Sequence, residues 1–309
     1  MLRRVDLLIN QIRRQSENQE FTSTSGISDD EILEYINNGI HRLQSVILSQ
    51  HPNVFIKEKV IQCVAGQEEY SIPSDCYLGN KITLIEYSET GLDRDYRPLE
   101  RGTLRNRTSD IEGNPLFYIR RSEKFLLNPI PQTSASKVRV SYIKRVNEVD
   151  KRRGIIATAI TSGSSITSLI IDTGGNPPLD STSLSEHEHL CVVDKEGNIT
   201  MANIPYDSID SSTGVVTISS GFTFESGETI VAGDYIVGGL DTSSHSEYQR
   251  NCERYILAYA TYKLMARDSS IDLAEQNEEL NNMEREIAAT YADIEDDIVT
   301  VPILQSWDI

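Results

Sequence analysis

Apolar residues recur at three- and four-residue steps in the first fifty positions and near the end of the chain. They alternate in short runs through the middle, so the chain reads as helix, then sheet, then helix. Leu2, Val5, Leu8, Ile9 and Ile12 fall on one helical face, which predicts a first helix from Leu2 to about Arg14. A Ser- and Thr-rich stretch from Gln15 to Gly26 reads as a loop. Ser28-Asp29-Asp30-Glu31 has the form of a capping box, in which the serine hydroxyl accepts from the backbone N–H three residues on and the glutamate reaches back. Ile27 and Ile32 occupy the two positions of a hydrophobic staple. Ile32, Leu33, Tyr35, Ile36, Ile40, Leu43, Val46 and Ile47 carry the helical period onward, and Pro52 predicts its end at Ser49 to His51.

From Val54 the period shortens to two. Val54–Ile61, Glu69–Pro73, Lys81–Tyr87 and Lys137–Lys144 are strand candidates, and Phe117–Arg120 with Lys124–Leu127 has the spacing of a hairpin. Together they predict a small antiparallel sheet. Residues 154–240 form a block of different texture, with a Ser/Thr/Gly tract at Thr161–Thr167 and a Gly- and Pro-rich stretch at Asp172–Asp180. Ser168–Ile171, Leu190–Val193, Val215–Ile218 and Asp234–Val237 are its short strands, which predicts an inserted β-barrel or sandwich.

Helical spacing returns after Ser246. Cys252, Tyr255, Ile256, Tyr259, Tyr262 and Met265 share a face, predicting a helix to about Arg267 that would be roughly 33 Å long at 1.5 Å per residue. Asp268–Ile271 interrupts it, and Asp272 to about Asp293 resumes, with Asp272 and Glu275 spaced as a second capping box. The last twelve residues, Ile298 to Ile309, are apolar and hold the only tryptophan, Trp307. Such a segment suits an anchor that waits for a groove or a sheet edge. It would equally serve as a strap across its own subunit.

Composition narrows the function. The 309 residues include 47 acidic and 29 basic side chains, a net charge of −18, so a free-standing DNA-binding protein is not expected. No apolar run approaches the roughly 18 residues of a membrane span, and the first residues lack the pattern of a secretory signal. The four cysteines, Cys63, Cys76, Cys191 and Cys252, are widely spaced, as in a protein made in a reducing cytosol. Fourteen tyrosines against six phenylalanines fit partly wet interfaces, with ordinary core use the simpler account of most.

The chain lacks a phosphate-binding loop, a dinucleotide fingerprint, a metalloprotease motif and a nucleophile elbow, so no cofactor is expected. His187, His189 and Cys191 would share a strand face and are weak zinc candidates, but they lack a fourth ligand and no metal site is assigned. Acidic pairs are too numerous for any one to stand out as a glycosidase dyad. Residues 241–300 hold 14 acidic and five basic side chains, a net −9 that is half of the total. Such charge solvates a helix face, or lines a channel that repels phosphates. Arg3, Arg4, Arg13 and Arg14 reverse the sign at the N-terminus, which makes them subunit-interface candidates together with Tyr255, Tyr259 and Tyr262.

The order of segments carries a resemblance. S-D-D-E-I-L-E-Y-I-N-N-G-I-H-R-L is followed by G-Q-E-E-Y-S-I-P-S-D, then G-N-P-L-F-Y-I-R-R-S-E-K-F-L-L-N-P-I-P and K-V-R-V-S-Y-I-K-R. The helix Y-I-L-A-Y-A-T-Y-K-L comes next, before a second, acidic helix. This resembles the head-to-tail adaptor, or connector, proteins of tailed bacteriophages, including the tail accessory or gatekeeper type. The resemblance covers Ser28 to Arg145 and Ser246 onward.

It implies a homo-oligomeric ring, commonly a 12-mer, at the head–tail junction of a virion, made in the host cytoplasm. Partners would be the portal protein and a tail or nozzle protein, with DNA passing through the channel without sequence-specific binding and no membrane involved. The C-terminal segment would dock on the portal through Ile298, Val299, Val301, Ile303, Leu304, Trp307 and Ile309. Many relatives have only a short link where residues 154–240 stand here, and the insertion would decorate the outside of the ring, hold a tail fibre or contact the next ring.

The expected fold class is α+β, a helical bundle with a small antiparallel sheet and a large inserted β domain. The expected division is 1–153, 154–240, 241–294 and a tail at 295–309. A non-enzymatic structural role is the expected function. A tail-associated glycan-cleaving enzyme and a fibre or receptor-binding protein stand as the alternatives.

Overall fold

The computed structural model describes residues 3–17, 27–51, 53–108, 111–160, 165–219, 222–223, 229–248, 250–267 and 273–292. The tail residues Ile298, Val299, Val301, Ile303, Leu304, Trp307 and Ile309 lie outside the described residues, as does Asp272. Two compact units are present: residues 1–50 with 147–309, and residues 51–146. This differs from the expected division at 153, 240 and 294. The reason is that helices from opposite ends of the chain pack on one another, and that the strand expected at Lys137–Lys144 closes the sheet unit.

In the first unit, α1 (Val5–Glu17) and α2 (Asp29–Gln50) follow their apolar periods. Helix α1 begins three residues later than predicted, because the residues before it pair as a strand. Val5 N–H donates to Ser244 O and Ser246 N–H donates to Arg3 O, each at 3.1 Å, with Arg4 bridged to His245. The cap of α2 forms by half: Ser28 Oγ accepts from Glu31 N–H at 3.1 Å. The Glu31 carboxylate is engaged by the Tyr35 hydroxyl at 3.1 Å and by Arg267 at 2.7 Å. Ile27 and Ile32 are both buried, as the staple requires.

The second unit holds β1 (Ile56–Gln62), β2 (Glu69–Ser71), β3 (Ile82–Ser88), β4 (Arg97–Pro98), β5 (Glu100–Arg101), β6 (Glu112–Gly113), β7 (Phe117–Arg121), β8 (Lys124–Asn128), β9 (Ile130–Pro131) and β10 (Lys137–Ile143). The single sheet expected from alternation is two four-stranded sheets, β1-β10-β3-β4 and β2-β8-β7-β5, with a short β6–β9 pair. They separate because the predicted hairpin, β7–β8, takes β2 as its neighbour and not β10. Two pairings, β5–β7 and β6–β9, are parallel. Ile85, Tyr87, Val138, Val140 and Tyr142 from one sheet and Tyr70, Tyr118, Phe125 and Leu127 from the other share one core.

The chain returns to the first unit at β11 (Glu148–Val149) and enters the insertion. There β12 (Gly154–Ile155), β13 (Ser168–Ile170), the short α3 (Ser181–Leu184), β14 (His189–Val193), β15 (Ile199–Ile209), β16 (Val215–Ile218) and β17 (Tyr235–Gly238) follow in order. The six strands run β12-β17-β14-β15-β16-β13. Their outer edges meet through the Ile156–Ile171 bridge, with Ala157 N–H donating to Ile170 O and Asp172 N–H to Ile155 O, both at 2.8 Å. The insertion is therefore a closed barrel, which removes the edges that a sandwich would leave. Leu169, Leu190, Val192, Met201, Ile204, Val216 and Ile236 fill it. Gly214 at the β15–β16 turn has φ +71°, and a Cβ there would fall 2.1 Å from Ile171 O, so only glycine fits.

After the barrel, β18 (Thr242–Ser243) pairs parallel with β11, and α4 (Arg250–Met265) and α5 (Ala274–Ala292) complete the bundle. Helix α4 is shorter than predicted, about 24 Å for its 16 residues, because residues 242–246 are spent on strand pairing. It packs against α1, α2 and α5, which is why so much of its circumference is buried. Gly39 marks its close approach to α2: a Cβ there would stand 3.2 Å from Tyr259 Cδ1 and 3.6 Å from Ile256 Cα.

Candidate assembly surfaces

The stem of the barrel is fixed by charge. Arg153, only 3 % exposed, donates to both carboxylate oxygens of Asp150 at 2.7 Å and to Asp30 Oδ1 at 2.8 Å. It also pairs with Asp180 at 3.4 Å. Asp150 Oδ2 accepts a further bond from Gly238 N–H at 2.7 Å, so one carboxylate holds the strands entering and leaving the barrel. Lys151 reaches Asp30 and Asp180 at 3.4 and 3.6 Å. Burial alone would raise the Asp30 carboxyl, but Arg153 and Lys151 outweigh it and hold it below the ordinary value. For Asp180 burial is likewise outweighed, by bonds at Ser183 and by the same two cations. Asn37 seals the stem against α2 by donating to Val149 O and accepting from Val149 N–H, at 3.1 and 2.9 Å.

Beside this clasp lies an open groove of about 580 Å³ between α2 and the base of the barrel. Six carboxylates line it, from Asp30, Glu31, Glu34, Glu148, Asp150 and Glu186, against one lining cation of fixed charge, Arg153. His41 Nε2 stands 3.0 Å from Glu148 at the rim.

The interface candidates divide. Tyr255 is buried, and its hydroxyl donates to Glu284 Oε1 at 2.7 Å, while Arg42 holds both oxygens of Glu284 at 2.9 Å. Burial followed by the bond to Glu284 raises the Tyr255 hydroxyl far above its ordinary value. Tyr255 is thus a tie between α2, α4 and α5, and its burial removes it from any surface where subunits meet. Tyr259 and Tyr262 are half-buried, with the Lys263 ammonium over both rings at 5.5 and 6.0 Å. Arg13 is held by Ile27 O and Asp29, and Arg3 by Gln11. Arg4 is exposed beside Asp6, and Arg14 is exposed.

His187, His189 and Cys191 are not brought together. Cys191 is buried on the outer side of β14, packed with Val193 and Val237, its Sγ 3.4 Å from Gly239 O. The His187 ring lies over Gly238. Among the described residues no three His, Cys, Asp or Glu side chains are grouped to hold a metal ion. All four cysteines are free and buried. No described helix is long and apolar enough to cross a membrane.

Sequence reasoning missed two surfaces. The first is the clasp, whose only linear trace is the run Asp150-Lys151-Arg152-Arg153 between two strand candidates. The second is the segregation of charge. Residues 51–146 carry 12 acidic and 15 basic side chains, a net +3, inside a chain of −18. The barrel segment 154–240 carries 11 acidic side chains and one basic, Lys195. Ten of the fourteen large apolar residues exposed among the described residues lie in the sheet unit, with Leu78 at 67 % and Leu104 at 65 % the extreme cases.

Residues 4–151 match the family model described as SU10 adaptor protein. The match runs through α1, α2, the whole sheet unit and β11, and it ends at the clasp before the barrel begins. It supports an adaptor-type structural protein of a bacteriophage and a place in the virion. No curated protein matches the chain.

Proposed function

We propose that this chain, which matches an adaptor family over residues 4–151, is the head-to-tail adaptor itself: a non-enzymatic subunit that forms a ring, commonly of twelve copies. The ring docks on the portal and joins it to the tail or nozzle protein around the DNA channel. The observation that carries this reading is the extent of the family match, which takes in both N-terminal helices and the complete sheet unit as one continuous stretch. Two features of the chain support it. The helices of the closing region are acidic, which suits a wall that DNA must pass without sticking. The apolar segment Ile298–Ile309, with Trp307, has the composition of an anchor for a partner's groove or sheet edge.

The mechanism is assembly. Subunits bind the portal by the C-terminal segment, neighbours close the ring, and the barrel, which stands outside the matched region, reaches a fibre or the next tail component. Deleting residues 298–309 tests the anchor. The truncated chain is expected to keep its circular dichroism spectrum and to lose portal binding in co-sedimentation with portal rings. Portal binding at the full-length level would reject the anchor role.

A further inference from the structure

A closed ring needs two different surfaces on each copy, one that inserts and one that receives, since a single self-complementary patch yields a two-fold dimer. The first unit supplies such a pair. Helix α1 buries Val5, Leu8, Ile9 and Ile12 and turns its opposite side outward. There Leu7 is 52 % exposed, and Arg14 stands two turns further along almost the same line. Arg14 has no ion-pair partner among the described residues. An exposed apolar side chain in line with an unpaired guanidinium group is the composition of an interface anchor. The receiving side is the acidic groove between α2 and the barrel base. Asp30 and Asp150 are already satisfied there by Arg153. Glu34 and Glu186 are exposed and have no ion-pair partner among the described residues.

We infer that the Leu7–Arg14 face of α1 in one copy seats in the groove lined by Glu34 and Glu186 of a second copy of this chain. The inference rests on the ring reading above and names the contact that closes the ring. Guanidinium groups suit the task because they grip carboxylates through two parallel bonds and shed water readily. The same chain carries both partners, opposite in sign and far enough apart in kind that neither can pair with itself. The barrel contributes Glu186 to the groove, so it serves assembly as well as display.

Cysteine cross-linking tests this on the full chain, because the four native thiols are all buried. The double variant Leu7→Cys/Glu34→Cys, assembled on portal rings and treated with a short bifunctional maleimide, is expected to give a ladder of covalent oligomers on a denaturing gel. Arg14→Cys/Glu186→Cys, at two other exposed positions, should give the same ladder and guards against one unfavourable geometry. Either single variant should stay monomeric. As a second readout, Arg14→Glu is expected to raise the concentration needed for ring formation at least tenfold, and Glu34→Arg in the same chain to restore much of the loss.

Rings seen by electron microscopy with no ladder from either pair would overturn this contact and leave the ring reading standing. A dimer band from Leu7→Cys alone would overturn it too, because it would show a self-complementary contact. If no ring forms from the wild-type chain on portal, the contact and the ring reading fall together.

Discussion

The sheet unit and the unit built from bundle and barrel solve stability and surface in opposite ways. Among the described residues of the sheet unit no cation is fully buried: Arg121–Glu69 at 3.4 Å and Lys124–Glu69 at 3.2 Å are exposed, Arg139–Glu86 and Lys57–Asp75 are only half-covered, and large apolar side chains are left in solvent. In the other unit the central pairs are buried, apolar residues are enclosed in a closed barrel and a helix bundle, and the surface is left strongly acidic. Exposed pairs in high dielectric contribute little, whereas a buried network constrains geometry. The sheet unit therefore reads as a surface made to be covered, and the barrel stem as a joint made to be held.

Breaking the joint should have the largest effect. Arg153→Ala leaves Asp150 buried without its cation and is expected to cost about 3–5 kcal/mol in denaturant unfolding. Hydrogen exchange should then rise at Val192 and Ile236 in the barrel and stay unchanged at Val140 and Phe125 in the sheet unit. Gly39→Val forces a branched side chain against Tyr259 and Ile256 and is expected to cost about 1–3 kcal/mol, read by the same unfolding curve.

Acid should act on the joint as well. Asp30 and Asp180 titrate below their ordinary 3.8 when folded. Their contribution is full above about pH 4 and is lost as pH falls through the lower folded values. The thermal midpoint should therefore drop as pH falls below about 4, and less steeply in Arg153→Met. Ser28→Ala removes a single cap bond, worth about 1 kcal/mol by thermal unfolding. Arg121→Ala, on the exposed face of the sheet unit, should change stability by less than about 0.5 kcal/mol. A loss near that of Arg153→Ala would erase the contrast between the two regions.

The features that could be read in the sequence were local ones. Ser28 and the Ile32–Ile47 period specify α2 within its own twenty residues, and short β-branched runs between turn residues mark the barrel strands. The misplaced boundaries have a non-local cause: Arg3–Val5 and Ser244–Ser246 satisfy each other's backbone groups, so neither helix begins where its apolar period does. Splitting of the sheet followed from pairing choices that alternation does not encode, since β2, β3 and β10 carry the same pattern. The surfaces were the least legible. Arg153 looks like any charged linker residue until Asp30 and Asp180 are brought to it. Tyr255 looks like a surface tyrosine until Glu284 and Arg42 enclose its hydroxyl. The arginines of α1 were visible as a group, but only folding separates Arg13, bound to Asp29, from Arg14, which remains outward.

The most direct measurement is the symmetry of the full-length chain bound to portal rings, viewed by cryo-electron microscopy. Closed rings with each α1 lodged against its neighbour's barrel stem are the predicted result. Portal rings carrying isolated subunits that never touch, or no density for the chain at all, would contradict the account.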